Sequence, residues 1–393
     1  MKDKKKWHPA TKAVRLQMDR TYHGEHASPL FLTSSFAFET SEDIRAAFAE
    51  EHFANTYSRY TNPNVEELSN KIAALENAEA GFSVASGMAA IFGTFMALLK
   101  SGDHIICSRS IFGGTNSVIT KYLPKFGIEY TYVDAVKIEE WEKEIKANTK
   151  MIYFETPTNP QLEIIDLAAV SAMAKQHNIL TVVDNCFATP VLQRPIDFGI
   201  DVVIHSATKW MDGQGRVLAG SISGSKELIN EVYLFCRATG PTLSPFNAWM
   251  ISKSLETLDV RLERHCANAL KVAQALERHP KINLVKYPFL QSHPQYEIAK
   301  RQMSSGGGIV CFDVHGGLGG AKRFIDNLEM LTITSNLGDS RSIVSHPTTT
   351  THSKLTEEER LSVGITPGLI RLSVGLEYVD DILDDINQAL QHV

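Results

Sequence analysis

From Ile179 to Lys209 the chain reads ILTVVDNCFATPVLQRPIDFGIDVVIHSATK, two short apolar runs that each stop at polar residues. Ile179-Leu180-Thr181-Val182-Val183 ends on Asp184-Asn185, and Val202-Val203-Ile204-His205 ends on Ser206-Ala207-Thr208-Lys209. Both runs read as buried strands. Upstream the same rhythm recurs, with candidate strands at Phe82–Ala85, His104–Cys107, Tyr130–Val133 and Met151–Phe154 and helical periodicity at Val65–Leu75, Ala89–Leu99 and Leu167–Gln176. Strand and helix in alternation predict parallel βαβ units with right-handed crossovers, hence an α/β fold whose mostly parallel central sheet carries helices on both faces.

The flanks differ in character. Residues 1–55 read as a polar N-terminal arm, extended at Ser34-Ser35-Phe36-Ala37-Phe38 and then helical from Glu42 to Glu51 behind a Thr40/Ser41 cap. Residues 56–250 form the large α/β unit, and 251–393 a smaller C-terminal α+β unit. The stretch from Pro245 to about Glu277 has helical spacing without internal Pro or Gly and predicts one long connecting helix. Beyond it, Gly308–Phe312, Leu331–Thr334 and Leu369–Val374 read as strands, and Ala321–Leu328 and Val379–Gln391 as helices.

Composition narrows the function classes. The chain has 393 residues, with 39 Lys plus Arg against 45 Asp plus Glu, a formal net charge of −6. Nucleic acid is an unfavourable partner, because a phosphate polymer needs a clustered positive footprint. The basic cluster Lys2, Lys4, Lys5, Lys6 reads as a solvated end. No apolar run has the length of a membrane span, and the N-terminus is polar where a signal peptide needs an apolar segment, so a cytoplasmic location is expected. Five scattered cysteines without a C-x-x-C pair suit reduced thiols, and no metal site is expected.

In doubly wound sheets ligands collect beyond the carboxyl ends of the parallel strands, so residues just after strands are where chemistry is sought. Ser86-Gly87-Met88 is a small-residue turn into a helix, where free N–H groups favour phosphate, although many such turns contain glycine for structural reasons. Asp184 needs a partner at the end of a buried strand; a pyridinium nitrogen would serve, and so would an N-cap or a structural salt bridge. Lys209, beside Ser206 and Thr208, could supply a Schiff-base amine with phosphate-binding hydroxyls next to it. Ser206-x-x-Lys209 also fits the penicillin-recognising acyl enzymes, but their Ser-Asp-Asn and Lys-Thr-Gly strings do not occur. Arg371 is a charge inside the apolar strand Leu369–Val374, either paired internally or set for a ligand carboxylate. There is no G-x-x-x-x-G-K-[ST] or H-E-x-x-H string.

Together, Tyr57-Ser58-Arg59-Tyr60-Thr61-Asn62-Pro63, Ser86-Gly87-Met88, Glu155-Thr156-Pro157-Thr158-Asn159-Pro160, Asp184-Asn185, Ser206-Ala207-Thr208-Lys209 and Arg371-Leu372-Ser373-Val374-Gly375-Leu376-Glu377 resemble, in order and spacing, the Cys/Met-metabolism family of pyridoxal-phosphate enzymes. The resemblance implies the aspartate aminotransferase-like fold type I of PLP-dependent transferases, with pyridoxal 5'-phosphate as cofactor. It implies Lys209 as the catalytic lysine that holds the cofactor covalently. It also implies Asp184 at the ring nitrogen, Phe112 stacked on the ring where many relatives have tyrosine, and Gly87, Met88, Ser206 and Thr208 at the phosphate. Tyr57 and Arg59 would reach the phosphate of a neighbouring subunit, making a dimer the minimum active unit and a homotetramer the usual one. Arg371, with Asn159 and Asn336, would bind the substrate α-carboxylate.

Within that family Asp212-Gly213-Gln214-Gly215-Arg216, Asn336-Leu337-Gly338-Asp339-Ser340-Arg341 and Ser345-His346-Pro347-Thr348-Thr349-Thr350-Thr351-His352 resemble the O-succinylhomoserine sulfhydrylase branch. Methionine γ-lyases usually carry cysteine at the place of Gly114 and tyrosine at that of Phe112. The expected reaction is therefore replacement at Cγ, forming homocysteine from an acyl-homoserine and sulfide in methionine biosynthesis. The alternatives are a cystathionine γ-synthase, a methionine or cystathionine γ-lyase, or an inactive structural homologue. A succinyl substrate carries a second carboxylate, for which Arg109 or Arg341 is the candidate partner.

Overall fold

The computed structural model of the chain describes residues 7–353 and 356–393, so the cluster Lys2, Lys4, Lys5, Lys6 lies outside the described residues. Seven strands form the first sheet: β1 (Ala80–Val84), β2 (His104–Ser108), β3 (Glu129–Val133), β4 (Thr149–Glu155), β5 (Leu180–Asp184), β6 (Val202–Ser206) and β7 (Gly220–Gly224). Their order is β1-β7-β6-β5-β4-β2-β3. Only β7 runs against its neighbours, and β3, β2, β4, β5 and β6 are mutually parallel. The predicted α/β architecture with a mostly parallel sheet is what the chain adopts.

Alternation along each strand feeds two cores. Tyr153, Val182 and Ile204 pack on one face with Ile91 and Phe95 of the Gly87–Leu98 helix, while Phe154, Val183 and Val203 pack on the other with Leu167 and Val170 of the Leu167–Gln176 helix. Burial on both faces is why these strands are continuously apolar. Strand β7 was not anticipated, because Gly220-Ser221-Ile222-Ser223-Gly224 lacks the β-branched run that marks the others. Its glycines answer a packing need: a Cβ on Gly224 would stand 2.7 Å from the Asp201 carbonyl oxygen, and one on Gly220 would collide with the carbonyl of Ser86.

A second sheet follows, built from β8 (Ile282–Lys286), β9 (Ile309–Val314), β10 (Thr332–Ile333), β11 (Ile343–Ser345) and β12 (Leu369–Ser373) in the order β10-β11-β12-β9-β8. It is antiparallel except for the short β10–β11 pair. Its core packs Val310, Phe312, Ile370 and Leu372 against Val272 of the Leu258–Glu277 helix, Phe324 of the Gly317–Asp326 helix and Ile382 of the Val379–Leu390 helix. The single long helix expected over Pro245–Glu277 is instead two, Pro245–Leu255 and Leu258–Glu277. At the break, Thr257 (φ −113°, ψ 7°) donates its N–H to the Ser254 carbonyl at 3.2 Å, and Arg261 Nη2 donates to the same carbonyl at 3.0 Å. Sequence periodicity does not see such a break, because a side chain rather than a Pro or Gly terminates the first helix.

The N-terminal arm is strapped to the Pro63–Glu76 helix by a buried polar network. Glu67 accepts hydrogen bonds from the Met18 N–H (2.8 Å), Ser28 Oγ (2.5 Å) and Ser252 Oγ (2.5 Å), and Lys71 Nζ lies 3.4 Å from it with no solvent exposure. Removing one member of a buried pair leaves the other charge uncompensated. We therefore expect Lys71→Met to lower stability by about 3–5 kcal/mol, read as a fall in the urea midpoint. Lys71→Met combined with Glu67→Gln should recover part of that loss, and a midpoint unmoved by the single change would show that the pair holds nothing.

Candidate active site

Three neighbouring parallel strands end on polar groups at one edge of the first sheet. The register pairs Glu155 with Asp184 and Asp184 with Ile204, so Glu155 and Asp184 emerge side by side and Ser206 follows two residues further along the next strand. They line a cleft of about 210 Å³ that also takes in Gly87, Met88, Phe112, Asn159, Thr208, Lys209 and, from β12, Arg371. The cleft thus lies where the carboxyl ends of the first sheet face the second.

One wall is a helix N-terminus. Ser86 caps the Gly87–Leu98 helix by accepting from the Ala89 N–H at 3.1 Å. The first-turn N–H groups of Gly87 and Met88 have no intrahelical acceptor and, with the helix dipole, favour an anion. Gly87 lets this turn approach Ser206: a Cβ there would stand 2.7 Å from the Ser206 Cβ. Thr208 lines the cleft while its hydroxyl oxygen accepts from the Ala219 N–H at 3.1 Å, which fixes its rotamer.

The charges in the cleft lack opposite charges within the protein. Lys209 Nζ donates to the neutral Asn336 Oδ1 at 2.6 Å, and burial together with the nearby Arg371 cation holds its pKa below that of an ordinary lysine. Arg371, 3% exposed, donates to Asn159 Oδ1 (3.2 Å) and to the carbonyls of Ser335 (3.3 Å) and Asn336 (3.2 Å). Asp184 accepts the Cys186 N–H at 2.8 Å, and burial pushes its pKa up to about 6, against the opposing pull of that N–H and of His205. Among the described residues none of the three forms an ion pair.

Lys209 owes its place to the next residue. Trp210 is fully buried between the two units, edge-on to His265 with ring centroids 4.8 Å apart, and presses on two glycines. A Cβ on Gly308 would run into its ring, and one on Gly338 would stand 2.6 Å from its backbone nitrogen. The indole thereby locks the Lys209 turn against the segment that carries Asn336.

Of the residues singled out from sequence, Gly87, Met88, Phe112, Asn159, Asp184, Ser206, Thr208, Lys209 and Arg371 line the cleft, and Asn336 touches Lys209. Tyr57 and Arg59 do not line it; Arg59 lies over the Tyr57 and Tyr60 rings at 5.6 and 4.7 Å and donates to the Arg237 carbonyl. Of the two arginines considered for a succinyl group, Arg341 is gripped by Asp339 (Nε 2.9 Å, Nη2 3.0 Å), whereas the exposed Arg109 side chain makes no hydrogen bond or ion pair among the described residues. Glu155, within the motif Glu155-Thr156-Pro157-Thr158-Asn159-Pro160, also lines the cleft. Its signal was the same as that of Asp184, a carboxylate closing an apolar strand.

A model of the Cys/Met metabolism PLP-dependent enzyme family matches residues 10–391. The chain is 50% identical over 380 residues to the O-succinylhomoserine sulfhydrylase of Pseudomonas aeruginosa, covering 97% of this chain and 94% of that protein. It is 42% identical over 386 residues to an L-methionine gamma-lyase of Fusobacterium nucleatum subsp. nucleatum, covering 98% of each. A Campylobacter jejuni crystal structure containing N'-pyridoxyl-lysine-5'-monophosphate superposes with a TM-score of 0.94 at 34% identity, covering 98% of this chain and 100% of that one.

The donor set of the cleft fits pyridoxal phosphate. An amine, an unpaired carboxylate and an anion-binding helix turn face one space, and these match an aldehyde, a ring nitrogen and a phosphate. Two outcomes follow. Gly87→Ala should weaken binding of pyridoxal phosphate to the apoprotein by roughly tenfold or more, since the added methyl separates the turn from Ser206; fluorescence titration reads this, and unchanged affinity would remove the phosphate from that turn. The rate at which apoprotein captures the aldehyde should reach half its maximum at a pH below the ordinary lysine value of 10.5, because only the neutral amine attacks and its pKa is lowered. A midpoint at or above that value would contradict the environment described for Lys209.

Proposed function

We propose that this chain, which belongs to the Cys/Met metabolism PLP-dependent enzyme family, is an O-succinylhomoserine sulfhydrylase that replaces the acyl group at Cγ with sulfide to form homocysteine. The observation that carries the reading is 50% identity over 97% of the chain to a sulfhydrylase of that name. The methionine gamma-lyase relatives, at 42% identity, make γ-elimination the second reading.

In this reading Lys209 holds the cofactor aldehyde. Asp184 faces the ring nitrogen, and Phe112 contributes an apolar ring face. Gly87, Met88, Ser206 and Thr208 surround the phosphate. When bound, pyridoxal phosphate supplies an electron sink for negative charge at the substrate Cα. Asp184 keeps the ring nitrogen protonated by opposite charge at close range. The planar fork of Arg371 takes the α-carboxylate in bidentate fashion, with Asn159 steadying the guanidinium, and so fixes which substrate bond faces Lys209. Lys209 Nζ, as a free amine beside the substrate, would remove the α-proton and then move a proton at Cβ. Its lowered pKa suits both tasks, because the amine is neutral at a lower pH than usual. The acyl group leaves from Cγ as a carboxylate, hydrosulfide bonds to Cγ, and the protons return.

Specificity for succinyl rather than acetyl needs a cation for the second carboxylate. Arg341 is already matched by Asp339, so we assign this part to Arg109, which stands on the chain just before Phe112. The assembly we propose is a homotetramer of active dimers, in which Tyr57 and Arg59, outside the cleft of their own chain, complete that of a neighbour. Five free cysteines suit the reducing cytoplasm we infer as its location.

Incubation with O-succinylhomoserine and equal sulfide and cysteine should yield mainly homocysteine; predominant cystathionine, or α-keto acid without added thiol, would replace this reading by one of its rivals. Arg371→Ala should lower kcat/KM by about two to three orders of magnitude, ~3–4 kcal/mol, for every acyl-homoserine. Arg109→Gln should lower it for the succinyl ester alone, and an unchanged succinyl-to-acetyl ratio would clear Arg109 of that part.

A further inference from the structure

Glu155 closes β4 as Asp184 closes β5, and the two are register partners on adjacent parallel strands. Tyr153 and Val182, two residues earlier on each strand, share one core face, so the two carboxyl groups project from the same face into the cleft. Glu155 is only 5% exposed and makes no ion pair among the described residues. Its hydrogen-bond donor is a backbone group: the Phe112 N–H points at Glu155 Oε1 at 2.7 Å.

That contact is made where the chain turns from the buried Ile111 into a short helix whose first turn is held by the Asn116 N–H donating to the Phe112 carbonyl at 3.0 Å. Phe112 is the N-cap of the short Gly113–Ser117 helix, and its side chain offers no capping hydrogen bond. Its ring lies close over Gly114 and Met88, where a Cβ on Gly114 would stand 2.7 Å from the ring. The Phe112 N–H is the group that ties this turn to the end of β4, through a carboxyl group one strand away from Asp184.

We propose that Glu155 is a positioning residue that fixes the backbone of Phe112 and thereby aims its ring at the face of the cofactor, acting as an uncharged acid so that Asp184 remains the ionised member of the pair. Two carboxylates at neighbouring strand ends disfavour each other's ionisation. Burial raises both, but Asp184 is offset by the Cys186 N–H and by His205, while burial and the Asp184 charge push Glu155 well above the carboxylate range against the opposing pull of the Phe112 N–H. A protonated Glu155 still accepts the Phe112 N–H through its carbonyl oxygen. The inference rests on the cleft being the cofactor site, and not on which acyl-homoserine the enzyme turns over.

The test compares Glu155→Gln, which keeps a neutral acceptor of the same shape, with Glu155→Ala, which removes it. Hydrogen exchange of the holoenzyme, resolved at the Phe112 amide, should show exchange at least about tenfold faster in the alanine variant and within about twofold of the parent in the glutamine variant. Circular dichroism of the bound cofactor's visible band, which reports the asymmetry around its ring, should be reduced in the alanine variant and retained in the glutamine variant. Equal loss in both variants would show that the charge of Glu155 is needed, overturning its role as a neutral acceptor. Unchanged exchange and dichroism in both would show that Glu155 does not position Phe112. Neither readout requires turnover, so either failure leaves the proposed sulfhydrylase activity to its own assay. Should the alanine variant fail to fold, Glu155→Leu, which fills the same space without an acceptor, takes its place with the same expected and contrary outcomes.

Discussion

The structure depends on three charges that the fold brings together and that, among the described residues, form no ion pair. Asp184, Lys209 and Arg371 come from two strand ends of one sheet and from the interior of another, and their hydrogen-bond partners are neutral groups. A protein gains no stability from such an arrangement, since partly desolvated charges without partners are costly. The cost makes sense under the proposed function, in which the partners arrive with the ligands: a ring nitrogen for Asp184, an aldehyde for Lys209, a carboxylate for Arg371. Preorganised charge of this kind needs no rearrangement when substrate binds.

Holding these groups in place falls to rigid elements. Parallel strands buried on both faces fix the spacing of Glu155, Asp184 and Ser206, and the Gly87–Leu98 helix presents its first turn against Ser206. Trp210, packed on Gly308 and Gly338, couples the Lys209 turn to the second sheet. Any relative movement of the two units would therefore be felt at the lysine amine and at Asn336 together.

Much of this was legible in the sequence, for a physical reason. A charge at the end of an apolar run, as at Asp184 and Lys209, or inside one, as at Arg371, is conspicuous because burying it is expensive. Strands with helices on both faces are conspicuous because they are apolar throughout. What escaped notice has no such mark. Strand β7 is written in glycine and serine because its neighbours leave no room for larger side chains, and the break at Thr257 depends on Arg261 reaching a carbonyl. Arg341 looked available until Asp339 was seen to hold it, a pairing that residue type alone does not disclose. Glu155 carried the same mark as Asp184 and was passed over. Tyr57 and Arg59 lie outside the cleft of their own chain, where Arg59 instead stacks on the Tyr57 and Tyr60 rings.

The central claim is that one amine, Lys209 Nζ, carries pyridoxal phosphate opposite Asp184. Borohydride reduction of the purified protein followed by proteolysis and mass spectrometry tests it directly. A single phosphopyridoxyl adduct is expected on the peptide containing Lys209, at close to one per chain. An adduct on any other lysine, or none after incubation with excess cofactor, would contradict it.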